Sequence, residues 1–428
     1  MTATIQDSHP PKNRLIFFDN LRYLMVILVL VFHSGASYGS IVSLWPYHDP
    51  NPTEFVDIIM MILDVFMMSI LFFIAGYFAI PSLQKKGGRR FLESKFKRLG
   101  IPWLVVTILV LPILDYIHYY TQSIGKGLSP RNYGIQWWLG IKKITEFHFG
   151  PMRMSEYLDM TEHFYQRYMW FLSLLLLFFV VFWVLHEARE KWERITERLA
   201  REGTASNRSV YQALAWVGLL SVLLFALVKF TLSSPADPFD FVWRSLGNIV
   251  QFETAKLAFY VPFFGLGVYA YSREWFTSGV DFGKPWVWGL ICFILMVVNM
   301  LVGRSLARAV APSMGLQLAF VVLYPLWTLS FLGMFVAFAS RRWNYATKLG
   351  GELAANSYYM YLAHYVFVMT LPLLLSAWGG VPVLVKFGIV ALTTVVLSYA
   401  TSKYIIKPYP RLLVIGLVGV NVLLAVVA

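Results

Sequence analysis

The feature that most constrains this chain is a recurring run of about 20 mostly apolar residues, the length a helix needs to cross the hydrocarbon core of a bilayer. Such runs begin near Leu21, Ile58, Gly100, Tyr168, Val210, Ala255, Trp286, Leu316, Ala354 and Val381. Hydrocarbon offers no partner to a backbone N–H or C=O, so segments of this kind must satisfy their own hydrogen bonds as helices. The expectation is an all-α fold, a polytopic transmembrane helical bundle of about ten helices. A further apolar tail, residues 412–428, sits at the short limit for spanning. It either crosses as an eleventh helix, lies at the interface or packs on the bundle.

Composition agrees with a membrane class. Of 428 residues 58% are hydrophobic and 14% charged, so a length that would make two or three soluble domains reads instead as one membrane domain, 15–411, between a tail of 1–14 and the apolar tail of 412–428. One cysteine, Cys292, lies inside an apolar run, which excludes an internal disulfide and speaks against a thiolate nucleophile. The net charge of +13 would suggest nucleic acid in a soluble chain. Here no nucleic-acid partner is expected, because the charges follow the loops of a chain whose partner is the lipid bilayer.

Lys and Arg mark the loops retained on the cytoplasmic side. They fill alternate connections: Lys85 to Arg98, Arg189 to Arg208, Arg273 with Lys284, Arg341 to Lys348, and Lys403 to Arg411. The N-terminus is therefore placed in the cytoplasm and the protein in the plasma (inner) membrane, with the long segment 121–167 outside despite its own cations. Lys12 and Arg14 ahead of an apolar stretch also fit a cleavable signal peptide, but the stretch is too long and contains Arg22, so an uncleaved first helix is preferred. The mixed Glu and Arg of 186–208 read as a solvated extension of the fourth helix.

An ionisable group inside a spanning helix costs roughly 2.5–3.5 kcal/mol and asks for a partner, a cavity or a function. Arg22 and His33 on the first helix are eleven residues apart, so they lie within about 20° of one face and about 16 Å apart along the axis. Both can line one cavity, or Arg22 can pair with Asp19 three residues earlier while His33 bonds a neighbouring carbonyl. His364 stands mid-run near the outer end of the ninth helix, as site residue or interfacial packing. Asp64 lies deep on the second helix; Asp57, Asp115 and His118 are expected at the water boundary. Lys229, Lys256 and Lys386 are near helix ends, where snorkelling would account for them. No His-Glu-x2-His or Walker loop occurs, no metal site is expected, and Gly265-Leu266-Gly267 reads as close helix packing.

These residues together resemble the acyltransferase-3 family of membrane acyltransferases, and within it the glucan succinyltransferase branch that modifies periplasmic glucans. FFDNLRYLMVILVLVFH is similar to the family's arginine, ten residues, histidine opening; FFIAGYF, RLGIPWL, MWFLSLLLLF and NSYYMYLAH resemble later stretches in order and spacing. The chain has Lys95 with Arg98 where two arginines are usual, Tyr168 where histidine often precedes WFL, and Ala75 in place of serine before GYF.

The resemblance implies transfer of an acetyl or succinyl group from a cytoplasmic acyl-CoA to a hydroxyl of a carbohydrate or glucan acceptor at the outer face, with acyl-CoA as co-substrate and no permanently bound cofactor. Under it His33 and Arg22 are the candidate catalytic residues. Lys95, Lys97 and Arg98, ahead of a helix start at Gly100 whose free N–H groups suit phosphate, are the candidate acyl-CoA ligands. His364, Asp19, Trp170 and Asp64 remain as acceptor-binding or structural residues. Two alternatives stay open: a secondary transporter using Asp64, Arg22, His33 and His364 as an ion path, and an acyltransferase in which His364 rather than His33 is the base. Trp137, Trp138 and Tyr157 make segment 121–167 either a carbohydrate surface or an amphipathic segment on the membrane.

Overall fold

The computed structural model describes residues 15–42, 45–152, 164–195 and 206–427, with 190–195 as backbone alone. The tail 1–14, Tyr157, and the Lys191 to Arg201 side chains of the expected helix extension lie outside that description. The first half of the chain forms α1 (Ile16–Ser34), α2 (Glu54–Tyr77), α3 (Ala79–Lys86), α4 (Gly88–Lys95), α5 (Ile101–Leu109), α6 (Leu111–Gly125), α7 (Tyr133–Thr145) and strand β1 (Phe149–Met152). Then come α8 (Trp170–Ile195), α9 (Asn207–Thr231), β2 (Trp243–Leu246), β3 (Val250–Glu253), α10 (Leu257–Ser272) and α11 (Pro285–Arg308). The chain closes with α12 (Met314–Arg342), α13 (Lys348–Leu375), α14 (Val383–Thr401) and α15 (Pro410–Val427).

Among the described residues ten helical segments are long and apolar enough to cross a membrane, so this is a multi-pass membrane protein. The tenth of them is the C-terminal Pro410–Val427, while the predicted sixth span is the 16-residue α10. At 1.5 Å per residue α10 covers about 24 Å, short of a hydrocarbon core of about 30 Å. It is tolerated because it is enclosed: a Cβ on Gly267 would lie 2.1 Å from the Phe73 carbonyl oxygen, and one on Gly76 2.1 Å from that of Phe264. Two glycines thus let the α2 and α10 backbones touch, the small-residue packing expected of Gly267. Gly265 has open space beside it and plays no such part.

Strands β1, β2 and β3 form a small antiparallel sheet, with Phe149 opposite Leu246 and Trp243 opposite Glu253. Pairing of β1 with β2 requires segments 126–152 and 232–256 to share one side of the membrane, called here the sheet side. The opposite, basic side carries the turns between α3 and α4 and between α12 and α13.

Prolines shape the third span. Pro102 and Pro112 have no N–H for the carbonyls four residues back, Arg98 and Ile108. Both carbonyls are satisfied from elsewhere: the Tyr358 hydroxyl donates to Arg98 O, and Trp137 Nε1 donates to Ile108 O at 2.9 Å. Around Pro102 the helix widens into a π turn, Phe96–Gly100, that runs unbroken from α4 into α5. The expected helix start at Gly100, with free N–H groups for phosphate, is therefore not there. Trp137 is a packing anchor, Trp138 stays exposed, and the C-terminal tail is a helix tied to α5 and α7 by Asn421, which donates to Leu109 O at 3.0 Å and accepts from Tyr133 at 2.5 Å.

Two sequence expectations are corrected by burial. Lys229, Lys256 and Lys386 do not snorkel; each is at most 5% exposed. Sheet-side loops bring Asp237 O and Asp240 O to Lys229 and Asp49 to Lys386, while Lys256 meets Asp64 of α2 and Glu253 at the end of β3. Asp57, Asp115 and His118 are likewise away from water. Asp57 accepts from the Ser40 N–H, the Ser40 hydroxyl and the Ile41 N–H, pinning the loop after α1.

Candidate active site

Helix α1 packs between α2, α13 and α14. Its entry is fixed by Asn20, whose amide donates to Trp343 O at 2.7 Å and to Tyr345 O at 3.3 Å. Near the other end of α1, His33 Nδ1 stands 3.1 Å from Nε2 of His364 on α13. His364 Nδ1 in turn lies 2.6 Å from the Tyr361 carbonyl oxygen, which can only accept. The proton of His364 therefore sits on Nδ1. With both rings neutral, His364 Nε2 is an acceptor, His33 Nδ1–H donates to it, and His33 Nε2 keeps its lone pair.

His33 forms part of the wall of a cavity of about 220 Å³ that also meets Asp64, Trp170, Arg167, Lys256 and His118. Aromatic contacts hold the wall. Tyr168 stacks on Tyr365 at 4.4 Å and donates to Leu362 O at 2.8 Å, while the Tyr361 hydroxyl donates to Tyr168 O. Trp170 stacks on Tyr260 at 5.8 Å. Tyr168, standing where histidine often precedes WFL, thus braces the His364 segment of α13.

Two cations, Arg167 and Lys256, each held by carboxylates, supply the cavity's charge. Arg167, held at φ 45° just before α8, bonds Asp115 through Nε. Lys256 bridges Asp64 and, at 2.9 Å, Glu253. Burial raises the Glu253 carboxyl above its ordinary value, opposed by the Lys256 ammonium. His118 differs from all of these: it is 2% exposed, faces the cavity, and neither ring nitrogen has a hydrogen-bond partner.

The sequence candidates separate into three places. His33, Asp64 and Trp170 share the cavity, and His364 backs it through His33. Arg22 does not reach it: Arg22 pairs with Asp19 at 2.7 Å, about 10 Å along α1 from Val29, itself part of the cavity wall. Of the four groups of the transporter reading, His33, His364 and Asp64 therefore gather at the cavity while Arg22 stands apart from them. Lys95, Lys97 and Arg98 lie on the basic side. The Lys95 ammonium sits 3.8 Å from the Phe179 ring centroid, Lys97 is exposed, and the Arg98 guanidinium lies over Tyr358 at 5.8 Å. Lys407 reaches the same stretch of α13, donating to Ala355 O at 3.3 Å. Among the described residues no three His, Cys, Asp or Glu side chains gather as a metal-ligand set.

Arg167, Lys256, Glu253 and Tyr365 were not singled out by sequence as site residues. Arg167 and Lys256 look in sequence like ordinary flanking cations; Glu253 lies three residues before Lys256, but their other partners, Asp115 and Asp64, come from 52 and 192 residues away and nothing local marks them.

The sequence profile of the acyltransferase-3 family, described as an acyltransferase domain, matches residues 15–403. The chain is 22% identical over 263 residues to glucans biosynthesis protein C of Escherichia coli strain SMS-3-5, covering 61% of this chain and 59% of that protein. It is 21% identical over 266 residues to the protein of the same name from Shigella dysenteriae serotype 1, with the same coverage. The match thus spans about three fifths of these relatives' length. No solved structure matches. With a profile match over most of its length, and with all five motif stretches inside it, the chain belongs to the acyltransferase-3 family of membrane acyltransferases.

Proposed function

We propose that the protein moves an acyl group from an acyl-CoA on the basic, cytoplasmic side of the inner membrane to a hydroxyl of a carbohydrate, a glucan in the nearest reading, that enters the cavity from the sheet side. The observation that carries this is the His33–His364 pair at the cavity wall. His33 Nε2 takes the proton of the acceptor hydroxyl as its oxygen attacks the thioester carbonyl. The tetrahedral intermediate collapses with loss of the C–S bond, and the His33 imidazolium returns the proton to the departing CoA thiolate. His364 holds His33 in the tautomer this requires, much as the third member of a catalytic triad orients its histidine. Arg167 spends Nε on Asp115 and retains further N–H donors for the developing oxyanion.

Helix α13 links the two ends of this reaction. Arg98 and Lys407 meet it at Tyr358 and Ala355, where they would hold the donor's phosphates, and His364 lies six residues beyond Tyr358, about 9 Å along the axis. Lys256 already carries two carboxylates, and Arg167 carries Asp115. A donor with a free terminal carboxylate would have to compete with them, which favours acetyl over succinyl. In proteoliposomes with a glucan acceptor, labelled acetyl transfer is expected to exceed succinyl transfer by about tenfold or more. Faster succinyl transfer would contradict the charge argument, and no transfer from any acyl-CoA by folded protein would sink the proposed activity.

The unpartnered His118 is assigned to the acceptor. A buried donor and acceptor left unmade costs about 1–3 kcal/mol, which a substrate hydroxyl would recover. His118→Leu is therefore expected to raise the acceptor KM about tenfold or more while raising the thermal midpoint of the substrate-free protein. A purely structural histidine would lower stability when removed and leave acceptor binding alone, so a lower midpoint with an unchanged KM would overturn the assignment.

A further inference from the structure

A second cavity, of about 380 Å³, opens between α2, α11 and α12 beneath the segment 238–241. Its size falls in the range of about 300–1,000 Å³ typical of small-molecule sites. Ile58, Met61, Val65, Val297 and Phe320 make most of its wall apolar, and α11, which bounds it, turns Leu290, Phe293 and Ile294 outward as a bilayer-facing helix does. Gly303 lies on this wall, is buried, and has no atom within 4 Å of where a Cβ would stand, so the space beside it is empty. At the sheet-side mouth, Arg304 and Glu54 form an ion pair at 2.9 Å. Five residues along α11 from Arg304, about 7.5 Å deeper, Asn299 is 3% exposed; its amide N–H donates to Leu295 O at 2.9 Å while its carbonyl oxygen has no partner.

From these features we infer that the cavity is a binding site for a single-chain zwitterionic glycerophospholipid from the sheet-side leaflet. The aliphatic chain fills the apolar space beside Gly303. Arg304 takes the phosphate and Glu54 the ammonium, exchanging their mutual pair for two complementary ones. The free glycerol hydroxyl of a monoacyl lipid donates to Asn299 Oδ1, which a second esterified chain could not do. Asp64 borders this cavity as well as the reaction cavity, and its side chain is 33% exposed. A seated lipid would therefore exclude water from the carboxylate that holds Lys256. The inference does not depend on the acyl-transfer reading, because binding is read without turnover.

The test uses the full-length protein in nanodiscs with lysophosphatidylethanolamine carrying a diazirine in its chain, followed by peptide mapping after photolysis. Labelling is expected to concentrate in residues 58–65 and 297–307. Gly303→Leu, which fills the space, should cut labelling about tenfold, the affinity carried by roughly two buried methylenes, while Gly303→Ala leaves most of it. Asn299→Leu should weaken labelling by about fivefold through loss of one hydrogen bond. Labelling that is unchanged by Gly303→Leu in a folded protein, or spread evenly over the outward faces of α9 and α15, would mean bulk lipid contact and overturn the site. Equal labelling by Asn299→Leu would overturn the single-chain assignment.

Discussion

His33→Gln is expected to lower acyl transfer by about 10²–10⁴-fold at unchanged protein abundance, the range by which positioned general bases accelerate reactions. The glutamine amide can still bond His364 and fill the α1 site, so the loss isolates the proton transfer from packing. His364→Ala should cost less, because His364 touches the reaction through His33. His364→Asn, whose carbonyl can accept from His33 Nδ1–H, should recover part of that loss, a rescue that mere space-filling would not give. The double variant should be scarcely worse than His33→Gln alone, since residues acting as a unit are not additive. Initial rates with labelled acyl-CoA in proteoliposomes decide the matter. A His33→Gln protein retaining more than about a tenth of parental activity would remove the base assignment. A larger loss in His364→Ala than in His33→Gln would reverse the two roles.

The second large effect falls on stability. Lys386 on α14 and Asp49 in the loop after α1 are 3% and 2% exposed and meet at 2.7 Å. Taking two charges out of water is costly, so leaving either one alone is worse than having neither. Lys386→Ala should destabilise by about 3–5 kcal/mol and lower the thermal midpoint by about 10 °C. Lys386→Met combined with Asp49→Leu should return most of that loss. Arg89→Ala, breaking the exposed pair with Glu93, should change stability by less than about 1 kcal/mol. Thermal unfolding of the detergent-solubilised protein separates these outcomes. A Lys386→Ala protein as stable as its parent would show that the loop over α1 contributes nothing to holding the bundle closed.

Chain length and apolar periodicity alone determined that this is a helical membrane protein, because a backbone in hydrocarbon has almost no other way to satisfy its hydrogen bonds. The same sequence marked His33, His364 and Asp64, since ionisable groups in apolar runs are few and costly enough to stand out, and the family resemblance added Trp170. It could not say that His33 and His364 face each other, as they are 331 residues apart and nothing local records their contact. Whether a lysine at a helix end reaches water or a buried acceptor also depended on where the sheet-side loops and the neighbouring helix lie. For that reason Lys229, Lys256 and Lys386 looked like snorkelling cations and proved to be buried partners. The apparent helix start at Gly100 failed for a related reason: a proline two residues later can begin a new helix or continue one that has just passed through a π turn, and the distant Tyr358 hydroxyl on the Arg98 carbonyl accommodates the second. Helices were thus decided by the solvent each segment requires, and the site by which distant polar groups find one another once that solvent is gone.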